Sequence, residues 1–312
     1  MRYQPKTKFT DRFVKWFGVG LVGYRYWPGA VVIYRVAITL AALIWAASFV
    51  HELPRWFGPY GILTRGTASL LLEYEEIPRW QSWSPLWWTD ALTAYYGWLA
   101  IMGVCLALTL LGIGGRWSVL AALLMLIGWA HRATWITGPV EPALVAFLGF
   151  LLIDPGPPLL PTARTAAAVD RTALRRDLTI RAARIHWWIL VAAGLLSQLA
   201  GLVWWRGEGV WWLAAAGHSW LLRMPGLFDH PLLINALTHG MISVQLLALW
   251  WLATNRWRVA GILAGILSCA AIGLVADQTL YGLLLLAGLT SYGNGPVAVR
   301  GQNQSQPTKE SV

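Results

Sequence analysis

From Ala30 to Val50 the chain runs through the apolar stretch AVVIYRVAITLAALIWAASFV, in which Arg35 is the sole charge. A helix of about 20 such residues, rising about 1.5 Å per residue, crosses a hydrocarbon layer of about 30 Å. Comparable runs recur near 93–114, 117–134, 139–160, 186–205, 233–254, 259–276 and 279–293, the last one short. They are continuous and do not alternate. Of the two backbone solutions open to a chain in lipid, this pattern selects the helix bundle over the closed barrel. The expected fold is all-α: a polytopic transmembrane bundle of about eight spans, or seven if the last does not cross. Composition agrees, with 57% hydrophobic residues and 12% charged, against about 25% charged in a typical soluble domain.

The formal charge of +10 would suggest nucleic acid if the basic residues formed one patch. They do not. With the N-terminus inside, the inner side receives Arg2, Lys6, Lys8, Arg12, Lys15, Arg25, Arg116, Arg164, Arg171, Arg175, Arg176, Arg181, Arg184, Arg256, Arg258, Arg300 and Lys309. The outer side receives Arg55, Arg65, Arg79, Arg132, Arg206 and Arg223. An excess of cations on the cytoplasmic side is the ordinary mark of membrane orientation. The charge therefore describes topology, and no nucleic-acid partner is expected. Three regions follow: a basic, interfacial amphipathic N-terminus at 1–28, the bundle at 29–293, and a polar tail at 294–312 expected to be disordered. No cleavable signal peptide is read, and the localisation expected is the cell (cytoplasmic) membrane.

Tryptophan pairs near the span ends (Trp87–Trp88, Trp187–Trp188, Trp204–Trp205, Trp211–Trp212 and Trp250–Trp251) read as interfacial anchors, since indole joins an apolar body to one N–H. Gly261 and Gly265 form a GxxxG, first for packing within the chain and second for dimerisation. Cys105 and Cys269 lie inside apolar segments and read as small hydrophobes. No metal-ligand spacing, nucleophile elbow or P-loop is present.

Polar groups inside apolar spans are expensive, and each asks for a reason. Arg35 sits about one turn into the first span. It can snorkel, pair structurally, or face inward to a carboxylate or headgroup. Gln198 falls in mid-span in the fifth helix, Gln245 in the sixth with His239 before it, and Ser268 in the seventh. These read either as interhelical hydrogen-bonding groups or as a polar pocket at the centre of the bundle. Asp277 reads as a turn residue.

Three segments carry a family resemblance. Residues 33–63 read IYRVAITLAALIWAASFVHELPRWFGPYGIL, residues 131–155 read HRATWITGPVEPALVAFLGFLLIDP, and residues 204–209 read WWRGEG. In order and spacing they resemble the HTTM (horizontally transferred transmembrane) proteins, the group that includes vitamin K-dependent gamma-carboxylase. The matching features are Arg35, the turn at 58–63, His131 and Arg132, and a Trp-x-x-Gly-x-Ala element that begins at Trp204 and has Gly209 in place of its Ala. The resemblance spans residues 9–293 and implies the fold. It also marks departures: where the carboxylases carry a Lys, a Glu and a His, this chain has Gln198, Gln245 and Ser268. Neither Gln nor Ser exchanges a proton near neutral pH, so carboxylase activity is not expected. The lumenal substrate domain of the carboxylases is not expected either.

The first functional expectation is a bundle with a central polar pocket for a lipid-like or quinone-like molecule. Its candidate residues are Arg35, His131, Arg132, Gln198, Trp204, His239, Gln245 and Ser268. The alternative is a structural or anchoring subunit that stabilises a membrane-protein partner or a second copy of the chain. A membrane-embedded enzyme using His131, His239 or the loop carboxylates Glu73, Glu75 and Glu76 ranks lower, as does a transporter. A quinone or lipid is the one cofactor class entertained, and membrane lipids are the expected partners.

Overall fold

A backbone in lipid must satisfy its own N–H and C=O groups. In the computed structural model 82% of the described residues are helical and none lies in a strand. The described residues are 29–58, 60–74, 84–159, 169–216, 229–254 and 257–293. The N-terminal segment 1–28, the tail 294–312, Glu75 and Glu76 lie outside them.

Among the described residues the chain forms α1 (Gly29–Ser48), the short α2 (Leu53–Trp56), α3 (Arg65–Tyr74), a 3₁₀ turn (Pro85–Trp88), α4 (Leu92–Leu111) and α5 (Arg116–Thr137). There follow α6 (Val140–Phe150), α7 (Val169–Ala200), α8 (Leu202–Trp205), α9 (Gly209–Ala216), α10 (Pro231–Thr254), α11 (Arg258–Val275) and α12 (Thr279–Leu289), with a closing 3₁₀ turn at Thr290–Tyr292. Four helices, α1, α4, α10 and α11, are long and apolar enough to cross a membrane. Helix α5 carries His131 and Arg132, and α7 carries Arg175, Arg176, Arg181 and Arg184. Helices α6 and α12 are apolar but short, 11 residues each, or about 16 Å of rise.

Local chemistry explains most boundaries. Gly112 ends α4 with φ +76°, and its N–H reaches the carbonyls of Leu108 and Thr109. That left-handed cap suits glycine. A β-carbon there would also sit 2.7 Å from Arg35 Nη1. Pro231 opens α10 at the first helical position, where a missing N–H costs nothing. Asp277 turns the chain between α11 and α12 at φ +55°, the turn role read for it. Helix α6 ends at Phe150, three turn residues follow, and Pro155 keeps Asp154 before it out of the helical region. The expected basic segment 162–185 and the span near 186–205 prove in part continuous. No glycine or proline interrupts the chain from Val169 until Gly194, and one 32-residue helix covers both.

Helices α4 and α5 run antiparallel, with Tyr95 against Arg132 and Trp98 against Met125, as do α11 and α12, with Gly282 against Cys269 and Gly265 against Leu289; the short α6 and α12 are largely buried. Tyr34 of α1 donates to Phe147 O of α6 at 2.7 Å, and Thr179 of α7 lies 3.3 Å from Phe150 O. Trp187 of α7 is fully buried and donates to Leu285 O of α12 at 2.9 Å. Lipid tails are as apolar as leucine, so burial alone does not join helices in a bilayer, and close approach of small residues does. Gly265 and Gly288 both border the Trp187 ring, and Gly261 lies against Trp251 and Leu252. The GxxxG is therefore used within the chain.

The tryptophan pairs correct the anchor reading in part. Trp187 is in the core, and Trp188 is half-buried with its Nε1 donating to Leu249 O at 3.2 Å. Trp204 is buried while Trp205 is exposed, and Trp88 is exposed while Trp87 is half-buried. Neighbouring helix positions point about 100° apart, so these pairs place one indole inward and one outward.

Candidate functional site

The two buried arginines of the candidate set lie at opposite ends of the bundle. Arg35 is fully buried, and its Nη1 donates to Pro155 O at 2.6 Å and Pro157 O at 2.9 Å. It does not snorkel; it belongs to a system of arginines at this end. Arg116 donates to Ile153 O, Arg184 Nε to Ser291 O at 2.9 Å, and Arg258 Nε to Tyr292 O at 2.9 Å. Arg176 faces Asp154 at 3.6 Å. The acceptors belong to the turns just beyond α6 and α12. Helix C-termini leave carbonyls unsatisfied and carry the negative end of the helix dipole. A planar guanidinium with five donors suits that geometry. Two helices too short for the bilayer end early, and arginines of neighbouring helices bond the carbonyls beyond them. That accounts for Arg35 structurally.

Arg132 does the corresponding work at the other end, from α5. It is fully buried. Its Nε lies 3.0 Å from the Tyr95 hydroxyl, and its Nη2 donates to Leu63 O at 2.7 Å. Asp90 is farther, at 3.8 Å, and partly exposed, so the hydrogen bonds hold the side chain more than the ion pair does. The guanidinium carbon sits 5.2 Å from the Phe57 ring centre, 5.0 Å from Trp87 and 5.7 Å from Tyr95, within cation–π range. His131, one residue earlier, is half-buried and close enough to Glu141 for their charges to interact.

Trp204 is part of a built turn. Gly207 has φ +79°, and a β-carbon on it would lie 2.0 Å from Asn235 Nδ2. One on Gly209 would lie 2.4 Å from the Trp204 ring. Each residue of the Trp-x-x-Gly-x-Gly element thus has a packing reason. Thr238 of α10 pins the turn: its hydroxyl accepts from the Val210 N–H at 3.2 Å and reaches Ile234 O (2.8 Å) and Gly207 O (3.0 Å). Thr238→Val keeps the shape and removes those partners. It is expected to lower stability by about 1–2 kcal/mol, measured by thermal unfolding in detergent.

The remaining four candidates divide. Gln245 of α10 and Ser268 of α11 are both buried. Gly261 abuts Leu252. Two helical turns back from Leu252 and two forward from Gly261 give Gln245 and Ser268, so they share one level. Both amide atoms of Gln245 and the Ser268 hydroxyl are buried without a hydrogen-bond partner. Gln198 is half-buried, with Oε1 also buried and unpartnered, but it lies at another level. Trp188 bonds Leu249, and ten residues on from one and back from the other bring Gln198 level with His239. That is about 9 Å along the axis from Gln245. His239 is exposed on α10. Six residues from Gln245 place it about 120° round the helix, so it does not share that residue's face, and the expected four-residue cluster reduces to a pair with Gln198 above it.

Several buried side-chain atoms outside the candidate set also lack a hydrogen-bond partner, among them Thr39 Oγ1 and His186 Nε2. Thr39 Oγ1 lies in α1, and His186 Nε2 lies in α7, whose ring meets Phe147 and Phe150 edge-on at 5.0 and 5.6 Å. His186 follows the basic residues of α7 and could have been found as a polar residue on the helix's inward face. No family model, curated protein or solved structure matches the chain.

Proposed function

We propose that this chain is a multi-pass protein of the cytoplasmic membrane, with an HTTM-like bundle of about eight spans and its N-terminus inside. In this reading the α10–α11 seam receives the polar end of a lipid-like or quinone-like molecule. The observation that carries it is the level pair Gln245 and Ser268. An amide and a hydroxyl buried in an apolar seam without partners are unfavourable by a few kcal/mol together. A carbonyl or hydroxyl on an otherwise apolar guest supplies what they lack. The resemblance points the same way, since these two positions stand where the carboxylases carry a Glu and a His. With Gln and Ser there, the seam can hold such a group by hydrogen bonds but cannot move a proton, so binding is the role proposed.

Purified protein exposed to a photoreactive quinone or photoreactive fatty acid is expected to label on α10 or α11. Gln245→Leu is expected to abolish the label and raise the unfolding midpoint, because an apolar side chain of similar size relieves the unsatisfied amide by about 1–2 kcal/mol. Loss of label with gain of stability separates a binding role from a structural one. Unchanged label, or a lower midpoint, would sink the reading.

A further inference from the structure

A second polar feature lies at the far end of α10 from the arginine-capped turns and is independent of the seam. The turn after α8 and the first turns of α9 and α10 enclose a cleft of about 400 Å³, walled by Arg206, Glu208, Trp211, Trp212, Pro231 and Asn235. We propose that this cleft binds the headgroup of a phospholipid that bears both a phosphate and an ammonium group, in the outer leaflet.

The two charges have opposite sign and stand two residues apart across Gly207. Among the described residues neither has an ion-pair partner, including each other. The Gly207 turn is held by Asn235, whose Nδ2 bonds Arg206 O at 3.4 Å, and by Thr238. The backbone carrying the charges is therefore set before any ligand arrives. Arg206 offers a phosphate the planar donor fork that suits it. The start of α10, a 24-residue helix, adds a positive dipole end on the same wall. Glu208 and the indoles of Trp211 and Trp212, which meet edge to face at 5.2 Å, suit an ammonium group through charge and through the ring faces. Both signs on one wall fit a zwitterion better than a purely anionic head.

The surroundings favour a lipid over a soluble phosphate compound. Leu202 and Trp205 just before the turn, and Leu232 and Leu237 just after the start of α10, are exposed apolar side chains. Exposed apolar side chains in the helices that flank a polar cleft suit acyl chains attached to a headgroup.

The test is native mass spectrometry of delipidated full-length protein in mild detergent, titrated with phosphatidylethanolamine or with phosphatidylglycerol of the same chains. The ammonium-bearing lipid is expected to bind about tenfold tighter, the ratio one charge-assisted contact supplies at its lower end. Glu208→Gln is expected to remove that preference by weakening the ammonium lipid alone, while Arg206→Gln weakens both lipids about tenfold. Both side chains are exposed, so neither change disturbs packing. Phosphatidylglycerol binding as tightly, or a preference that survives Glu208→Gln, would overturn the proposal. So would displacement by inorganic phosphate or glycerophosphoethanolamine at concentrations equal to the lipid, which would assign the cleft to a soluble compound.

Discussion

Arg132→Ala is expected to be among the most destabilising single changes in this protein, with a loss of about 3–5 kcal/mol from the cavity it opens and the hydrogen bonds it removes. The side chain is fully buried at the end of α5. It ties Leu63 O in the loop before α3 to the Tyr95 hydroxyl on α4. Phe57 and Tyr95, stacked 4.6 Å apart, share Trp129 as an edge-on neighbour. Removing the guanidinium leaves a cavity among those rings and an unbonded carbonyl at Leu63. Arg132→Lys keeps the charge but not the two-directional donor fork, and is expected to recover less than half of the loss. The contrast is Arg55→Ala. Arg55 pairs with Glu52 at 3.6 Å on an exposed surface, where such pairs contribute at most about 1 kcal/mol. Unfolding midpoints of the three variants in one detergent decide the matter. If Arg132→Ala and Arg55→Ala melt together, the network at this end of the bundle is not structural.

That network shows where sequence reading reached and where it stopped. The apolar runs located α1, α4, α10 and α11 to within a few residues, because a bilayer demands length and apolarity together. Arg35, Gln245 and Ser268 were legible as polar residues in apolar spans, Arg132 was singled out through the family resemblance, and all four are buried. Their partners were not legible. Arg35 bonds backbone carbonyls 120 and more positions away, and a carbonyl carries no residue-type signal. The early ends of α6 and α12 create those acceptors, so the role of the arginines depends on where two other helices stop. His239 misled because it sits close to Gln245 in the chain while lying on another helix face. The tryptophan pairs misled for the same reason: composition places indoles near an interface, but helical phase decides which of two neighbours turns inward.

Gly282 provides the sharpest test of how the interior helix α12 is held. A β-carbon there would lie 2.8 Å from Cys269 O and 2.9 Å from Gly273 Cα, both backbone atoms of α11. A neighbouring side chain can swing aside, but a helix backbone moves only as a unit, and α12 is also fixed to α7 through the Trp187 bond to Leu285. Gly282→Leu is expected to cost about 3 kcal/mol, the upper part of the overpacking range, and Gly282→Ala is expected to fall between that and the parent. Helix propensity alone predicts the opposite sign, since alanine is favoured over glycine in a helix by about 1 kcal/mol. Gly103→Ala and Gly149→Ala supply the internal reference. Both glycines lie inside helices with nothing within 4 Å of the added carbon, so they are expected to hold or raise the unfolding midpoint. A common direction for all three alanine variants would show that α11 and α12 are not in backbone contact. Opposite directions would show that small-residue packing, more than apolar burial, keeps the short, buried α12 in place.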